Sequence, residues 1–324
     1  MNVLITGGAG FIGSHLSAAL VAAGERVAVL DDLSTGCVDN LRGLEKGGSL
    51  ELHVGSVNDA KLVDELVAKA DFVYHLASAV GVRLIIDQPV HTIESIVGGT
   101  TVVLEACNRR WKPFLLTSTS EVYGKGSRIP FNEDDDTVMG ATCRRRWSYA
   151  CAKALDEFLA LAYWVERHLP ITVVRLFNTV GPRQTGQYGM VVPTLVTQAL
   201  SGKPITVFGD GTQSRCFTHV SDIVETLMMI PEAPQTHGQV INLGNDQEIT
   251  ILGLAERIKE LTGSPSPIKI IPYDQAYGPG FEDMHRRVPD LSKAARLLGY
   301  RPTRSLDDIL HDVIQDKRAR MSLG

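Results

Sequence analysis

Val3-Leu4-Ile5-Thr6-Gly7-Gly8-Ala9-Gly10-Phe11-Ile12-Gly13 decides the fold of this chain. An apolar run enters a glycine-rich turn and continues into a helical pattern over about Phe11–Ala23. The glycines at 7, 10 and 13 divide three tasks: a tight turn, backbone approach to a pyrophosphate, and close packing of helix on strand. The helix start aims free N–H groups and a positive dipole end at phosphates. A purely structural turn would carry similar glycines, and the context selects the dinucleotide reading. A second apolar strand, Arg26–Leu30, follows and ends in Asp31-Asp32. Asp31 stands where a carboxylate accepts from a ribose 2′-OH and repels a 2′-phosphate, which favours NAD over NADP. The competing reading is that Asp31 and Asp32 cap the next turn.

Beyond this unit, strand and helix patterns alternate. Strands are expected at Leu50–Val54, Phe72–Leu76, Phe114–Ser118 and Ile171–Phe177. Helices are expected near Ala60–Lys69, Val90–Arg109 and Trp147–His168. Such alternation predicts an α/β fold, a doubly wound parallel Rossmann sheet. Residues 1–177 form the NAD-binding domain in this reading. After Asn178 the pattern loosens, and residues 178–324 read mainly as a smaller mixed α/β substrate lobe, with strands near 204–245 returning to the sheet. Helices are expected there near Val191–Ser201, Ser221–Met229, Ile251–Gly263 and Leu291–Leu298.

The 324 residues, 44% of them apolar, suffice for a sizeable core, and the net charge of −5 argues against a nucleic-acid or acidic-membrane surface. No apolar run is long enough to span a membrane, and a strand beginning at once leaves no room for a signal peptide. Five scattered cysteines read as reduced thiols without a metal site, so a cytoplasmic enzyme is expected. The acid run Glu133–Asp136 and the basic run Arg144–Arg146 read as solvated surface.

Tyr149 and Lys153 are four apart on an expected helix and share a face. Alone, that spacing is uninformative. Here it follows a sheet strand ending in Thr117-Ser118-Thr119. An ammonium beside a phenol favours phenolate, so the Tyr149 pKa is expected to fall from about 10. The phenolate can then take a proton from a sugar hydroxyl as hydride leaves the same carbon. Lys153 would also reach the nicotinamide ribose, and Thr119 would bond the same hydroxyl.

Together Thr6–Gly13, Asp31-Asp32-Leu33-Ser34-Thr35-Gly36, His75-Leu76-Ala77, Thr119 and Tyr149/Lys153 resemble the sugar-nucleotide branch of the extended short-chain dehydrogenase/reductases. Gly181-Pro182-Arg183, Val207–Arg215 and Asn242-Leu243-Gly244 extend the resemblance over almost the whole chain. It implies oxidation of a sugar C4 hydroxyl to a transient ketone by NAD. Gly7, Gly10, Phe11, Ile12, Gly13, Asp31, Asp32, Ser34, Thr35, Gly36, Leu76, Ala77, Thr117, Tyr149 and Lys153 would hold the cofactor. Asn178 would contact the sugar nucleotide, Val207 and Phe208 would lie by the base, and Arg215 would bind the diphosphate.

Thr119-Ser120-Glu121 lacks the aspartic acid of the 4,6-dehydratases and resembles the UDP-glucuronate decarboxylases. Arg287, before Val288-Pro289-Asp290, matches their carboxylate-handling arginine, with Arg286 as its rival. Loss of CO₂ from the β-keto acid, to UDP-xylose or its 4-keto form, is the favoured reaction. Ser120, Glu121 and Arg287 would handle the carboxylate; Glu121 could orient Ser120 or a water, or disfavour the charged carboxylate. Two departures favour the alternative, a UDP-glucuronate 4-epimerase or another UDP-hexose 4-epimerase: the segment Gly186–Met190, and Trp147–Ala150 around Tyr149. Thr185 stands where such epimerases often place an arginine, and Arg183 could take that role. An NAD-binding regulatory protein is the non-enzymatic alternative. The resemblance also implies a homodimer through the helices near 90–109 and 147–168, with Phe158–Ala162 suited to the contact.

Overall fold

The computed structural model describes all residues except 46, 79–84, 86, 187–188, 279–281 and 323–324. Its centre is a seven-stranded parallel sheet. The strands are β1 (Asn2–Thr6), β2 (Arg26–Asp31), β3 (Leu50–Val54), β4 (Phe72–His75), β5 (Phe114–Thr119), β6 (Ile171–Leu176) and β11 (Gln239–Leu243). Their spatial order, β11-β6-β5-β4-β1-β2-β3, reverses direction between β1 and β4. A doubly wound sheet opens a ligand crevice at that switch point, beyond the carboxyl ends of its strands.

Helices Phe11–Ala22, Val220–Met229 and Ser292–Leu298 cover one face, with Leu16, Leu20, Ile223, Leu227 and Leu298 buried on Val3, Ile5 and Val29. Helices Ala60–Lys69, Pro89–Arg110 and Ser148–Arg167 cover the other, burying Leu66, Val103 and Ala160 against Leu4, Val73 and Leu116. A separate core holds the smaller lobe together, where helices Val191–Leu200, Ile251–Thr262 and Leu306–Ser322 pack Leu195, Leu254 and Leu310. In that lobe β8 (Ile205–Phe208) pairs with β13 (Ile268–Ile271), and β9 (Ser214–Cys216) with β12 (Glu248–Thr250). Of the strands expected between 204 and 245 to rejoin the main sheet, β11 does so, whereas β8 and β9 stay in the lobe.

Polar groups are also set inside the sheet. Arg175 on β6 makes a two-pronged ion pair with Glu157, which also accepts from Ser118 on β5. The Arg175 guanidinium donates to the Glu133 carbonyl, and the Glu133 carboxylate accepts from the Asn242 N–H of β11 at 2.8 Å. Glu133 is therefore buried, contrary to the expectation of a solvated acid run; only the aspartates after it stay on or near the surface.

Candidate active site

A cleft of about 900 Å³ opens at the switch point. Its floor is the glycine turn. Gly7 has φ +74°, and a Cβ there would lie 2.7 Å from the Ala77 nitrogen. Gly13 lies so close under the turn that a Cβ would sit 2.2 Å from the Gly7 carbonyl oxygen. The glycines thus bring the first turn of the helix Phe11–Ala22 down onto the strand end, with Gly10, Phe11 and Ile12 facing the cleft. Backbone N–H groups arranged in this way fit a pyrophosphate.

Asp31, Asp32, Ser34, Thr35 and Gly36 line one end of the cleft. The Asp31 carboxylate accepts from the Ala9 and Leu33 N–H groups, both at 2.9 Å. Burial raises its pKa and these hydrogen bonds oppose the rise. Asp32 accepts from the Ser34 N–H and hydroxyl. Both aspartates therefore cap the turn, the competing sequence reading. A carboxylate has about four acceptor positions, so turn capping leaves Asp31 able to accept from a ribose. Leu76, Ala77 and Thr117 also line the cleft, and Thr117 donates to the His75 carbonyl at 3.0 Å.

The middle of the cleft gathers Thr119, Ser120, Glu121, Tyr149, Asn178, Arg183 and Arg287. Tyr149 is buried, and the hydroxyls of Ser78 and Thr119 approach its phenol. Its pKa is raised, first by burial and then by Glu121, against the lowering expected from Lys153. The physical reason is where Lys153 points. Its Nζ donates to Asp156 Oδ2 at 2.9 Å, both groups are almost fully buried, and Lys153 is not on the cleft wall.

Glu121 lies inside a charged cluster. The Arg146 guanidinium donates to Glu121 Oε2, and Arg287 Nη1 donates to Oε1 at 3.4 Å. Asp283 accepts from Arg215 at 2.7 Å and from Arg287 at 3.3 Å. Burial would raise the pKa of Glu121, but Arg146 and Arg287 outweigh it and hold the carboxyl below its ordinary value. Asp283 is held down in the same way by Arg287, Arg215 and Arg146. Three guanidiniums face two carboxylates. Arg146 Nε and Nη2 and Arg287 Nε are buried without a hydrogen-bond acceptor among the described residues.

Several expectations change here. Arg146 is not solvated surface; it is 3% exposed. Arg286, the rival of Arg287, turns outward to Glu248, while Arg287 lines the cleft. Arg215 is buried on Asp283 and does not line the cleft, and burial followed by Arg287 pulls its pKa down to about 10. Val207 is wholly enclosed in the core of the smaller lobe, and Phe208 is half-buried on Tyr277. Gln187 and Tyr188, within the segment Gly186–Met190, lie outside the described residues. Arg146, Asp283 and Asp156 were not singled out in the sequence, although Asp156, three after Lys153 on one helix, is at a pairing distance.

Fold and site together define an extended short-chain dehydrogenase/reductase. More narrowly, the chain belongs to the family of GDP-mannose 4,6 dehydratase, which it matches over residues 4–313. It is 41% identical over 313 residues to a UDP-N-acetyl-alpha-D-glucosaminuronate decarboxylase of Bacillus cytotoxicus, covering 96% of each chain. It is 37% identical to UDP-glucuronic acid decarboxylase 1 of Arabidopsis thaliana, across 99% of this chain and 71% of that one. Among solved structures, the UDP-glucuronic acid 4-epimerase of Bacillus cereus, in complex with UDP-glucuronic acid and NAD, superposes with a TM-score of 0.87 at 30% identity; the match spans 98% of this chain and 100% of that one.

Proposed function

We propose that this chain is an NAD-dependent UDP-hexuronate decarboxylase, acting on UDP-glucuronate or on its 2-acetamido analogue. The observation that carries the reading is the cluster beside Tyr149. Among the described residues its guanidiniums outnumber its carboxylates, and three buried donor atoms lack hydrogen-bond acceptors. A sugar carboxylate would match the excess positive charge that Arg287 brings to the cleft wall, whereas a neutral hexose would leave it unmatched. The decarboxylase relatives support the same reaction, and the 41% identical one supports the 2-acetamido substrate.

NAD, when bound, would supply the hydride acceptor for C4 and the donor for its return. Tyr149 takes the C4 hydroxyl proton, with Thr119 on the same oxygen. Arg287 holds the carboxylate in line with the new carbonyl, and Arg146 acts behind it through Glu121. Glu121, kept ionised by these arginines, opposes a second carboxylate beside it. That repulsion is relieved as carbon leaves as neutral CO₂, and the enolate left on the sugar is protonated. Ser120 hydrogen-bonds the carboxylate, Asn178 and Arg183 contact the sugar nucleotide, and Arg215 acts through Asp283 to place Arg287.

Incubation with UDP-glucuronate, and separately with UDP-N-acetylglucosaminuronate, followed by product mass and proton NMR, tests this. Loss of the mass of CO₂ with a pentose-type spectrum is expected. Unchanged mass with a galacturonate-type anomeric signal would assign 4-epimerisation, the second reading, which the Bacillus cereus structure and the place of Arg183 on the cleft wall support.

A homodimer is part of this proposal. Leu155, Phe158 and Val165 are 51%, 69% and 69% exposed along one side of the helix Ser148–Arg167, and Val90 and Ile93 are exposed on the helix Pro89–Arg110, which packs against it. An apolar face of this kind suits a second copy. Phe158→Asp is expected to be monomeric in analytical ultracentrifugation where the parent sediments as a dimer. A cytoplasmic setting agrees with five free thiols and with no helix among the described residues long and apolar enough to cross a membrane.

A further inference from the structure

Behind Tyr149 runs a buried line of hydrogen bonds that the reaction outlined above does not use. The Ala77 N–H donates to Thr6 Oγ1 at 3.3 Å, and Thr6 Oγ1 lies 2.7 Å from His75 Nδ1. His75 Nε2 lies 3.1 Å from Thr100 Oγ1, which donates to Asp156 Oδ2 at 2.9 Å. Lys153 Nζ donates to that same oxygen at 2.9 Å. Burial lowers the His75 pKa to about 3, so the ring is neutral. With Thr100 donating to Asp156, the neutral ring carries its proton on Nε2 and accepts from Thr6 on Nδ1. Every donor in the line is thus directed toward Asp156, and aligned hydrogen bonds in a low-dielectric interior polarise one another.

We propose that Asp156 is a positioning residue for the reaction: it anchors the Lys153 ammonium behind Tyr149 and offsets its charge, so that the acidity of the phenol depends on how Lys153 is shared. This rests on the reading of Tyr149 as the base. The groups around the pair make the effect specific. Tyr149 and Lys153 share a helix face, Glu121 faces the phenol from the end of β5, and His75 stands behind Thr100 from β4. Glu157, beside Asp156 in sequence, is committed to Arg175. Asp156 is therefore the counter-ion of Lys153, and it also bears on the phenol as a like charge to phenolate. Removing its charge leaves an ammonium with no carboxylate partner. With that partner gone, the positive charge bears on the phenol that shares its helix face.

The test is Asp156→Asn in the full chain saturated with NAD. Ultraviolet titration of tyrosinate is read as the difference between each protein and its Tyr149→Phe counterpart, alongside the acid limb of kcat/KM with UDP-glucuronate. Asp156→Asn is expected to lower the titration midpoint by about one pH unit, the scale of a nearby charge. Asp156→Glu, which keeps the charge, is expected to titrate as the parent does. Where Asn does not fold, Asp156→Ser leaves room for a water beside Lys153 and carries the same expectation. A midpoint that is unchanged or moves upward overturns the proposal. The titration reads the phenol directly, so its outcome is separate from whether Tyr149→Phe stays active, which decides the role of the base.

Discussion

Tyr149→Phe is expected to reduce the rate at which UDP-hexuronate reduces bound NAD by about a thousandfold, the middle of the range for loss of a general base. The ring of Tyr149 is buried on Ile85, Ile96 and Ala152, so the variant keeps its packing. Among the described residues its hydroxyl is approached by Ser78 and Thr119 and anchors no other part of the fold. Melting temperature and NAD affinity should therefore stay close to those of the parent. Single-turnover absorbance of reduced nicotinamide measures the loss, and calorimetry checks the binding. A variant that reduces NAD at the parent rate would remove Tyr149 from the reaction.

The second large effect is expected at Gly13. Inside a helix, Ala is ordinarily preferred over Gly by about 1 kcal/mol, so propensity alone predicts that Gly13→Ala stabilises the chain. The contact reverses the sign. A Cβ at 13 would meet the Gly7 carbonyl oxygen at 2.2 Å and the Gly8 Cα at 2.7 Å. Both are backbone atoms, so the helix must lift from the turn. Overpacking of this kind costs about 1–3 kcal/mol, and the lifted helix no longer presents its N–H groups where a pyrophosphate would meet them. We expect Gly13→Ala to melt several degrees lower and to bind NAD at least about a hundredfold more weakly, a loss near 3 kcal/mol. Unfolding scans and calorimetric NAD titration measure the two. Unchanged affinity would mean that this turn does not hold the cofactor.

The parallel sheet was legible because its signals are local. Apolar runs, a glycine turn and helical periodicity placed the helix Ala60–Lys69 at its observed ends and most other elements within a residue or two. The strands of the smaller lobe were harder. β8 and β13 are four residues each, with two α-helices and four strands between them in the chain, and their pairing depends on non-local contacts that leave no periodic mark. The site divides in the same way. Glycines and the Tyr/Lys spacing stand out in one dimension. Arg146 did not, because three consecutive arginines look alike in sequence. A tight 3₁₀ turn sends Arg146 inward while Arg144 and Arg145 stay exposed. The direction of Lys153 was missed for another reason: the expectation paired its charge with Tyr149 alone, and a carboxylate three residues on claimed it.

The ion pair inside the sheet has a consequence for how this chain finds its structure. The inner strands are built from nearly interchangeable residues: Phe72–His75 reads FVYH, Phe114–Thr119 reads FLLTST and Ile171–Leu176 reads ITVVRL. Slid by one position, such strands could still bury similar side chains, so greasiness alone discriminates poorly among alignments. Arg175 breaks the degeneracy. In the observed alignment it lies opposite Ser118 and reaches Glu157 and the Glu133 carbonyl. One step away, its guanidinium would point to the opposite face and leave Glu157 an unpaired anion, at a cost of several kcal/mol. The pair thus acts as a proofreading device, rejecting misaligned sheets that hydrophobic burial by itself would accept.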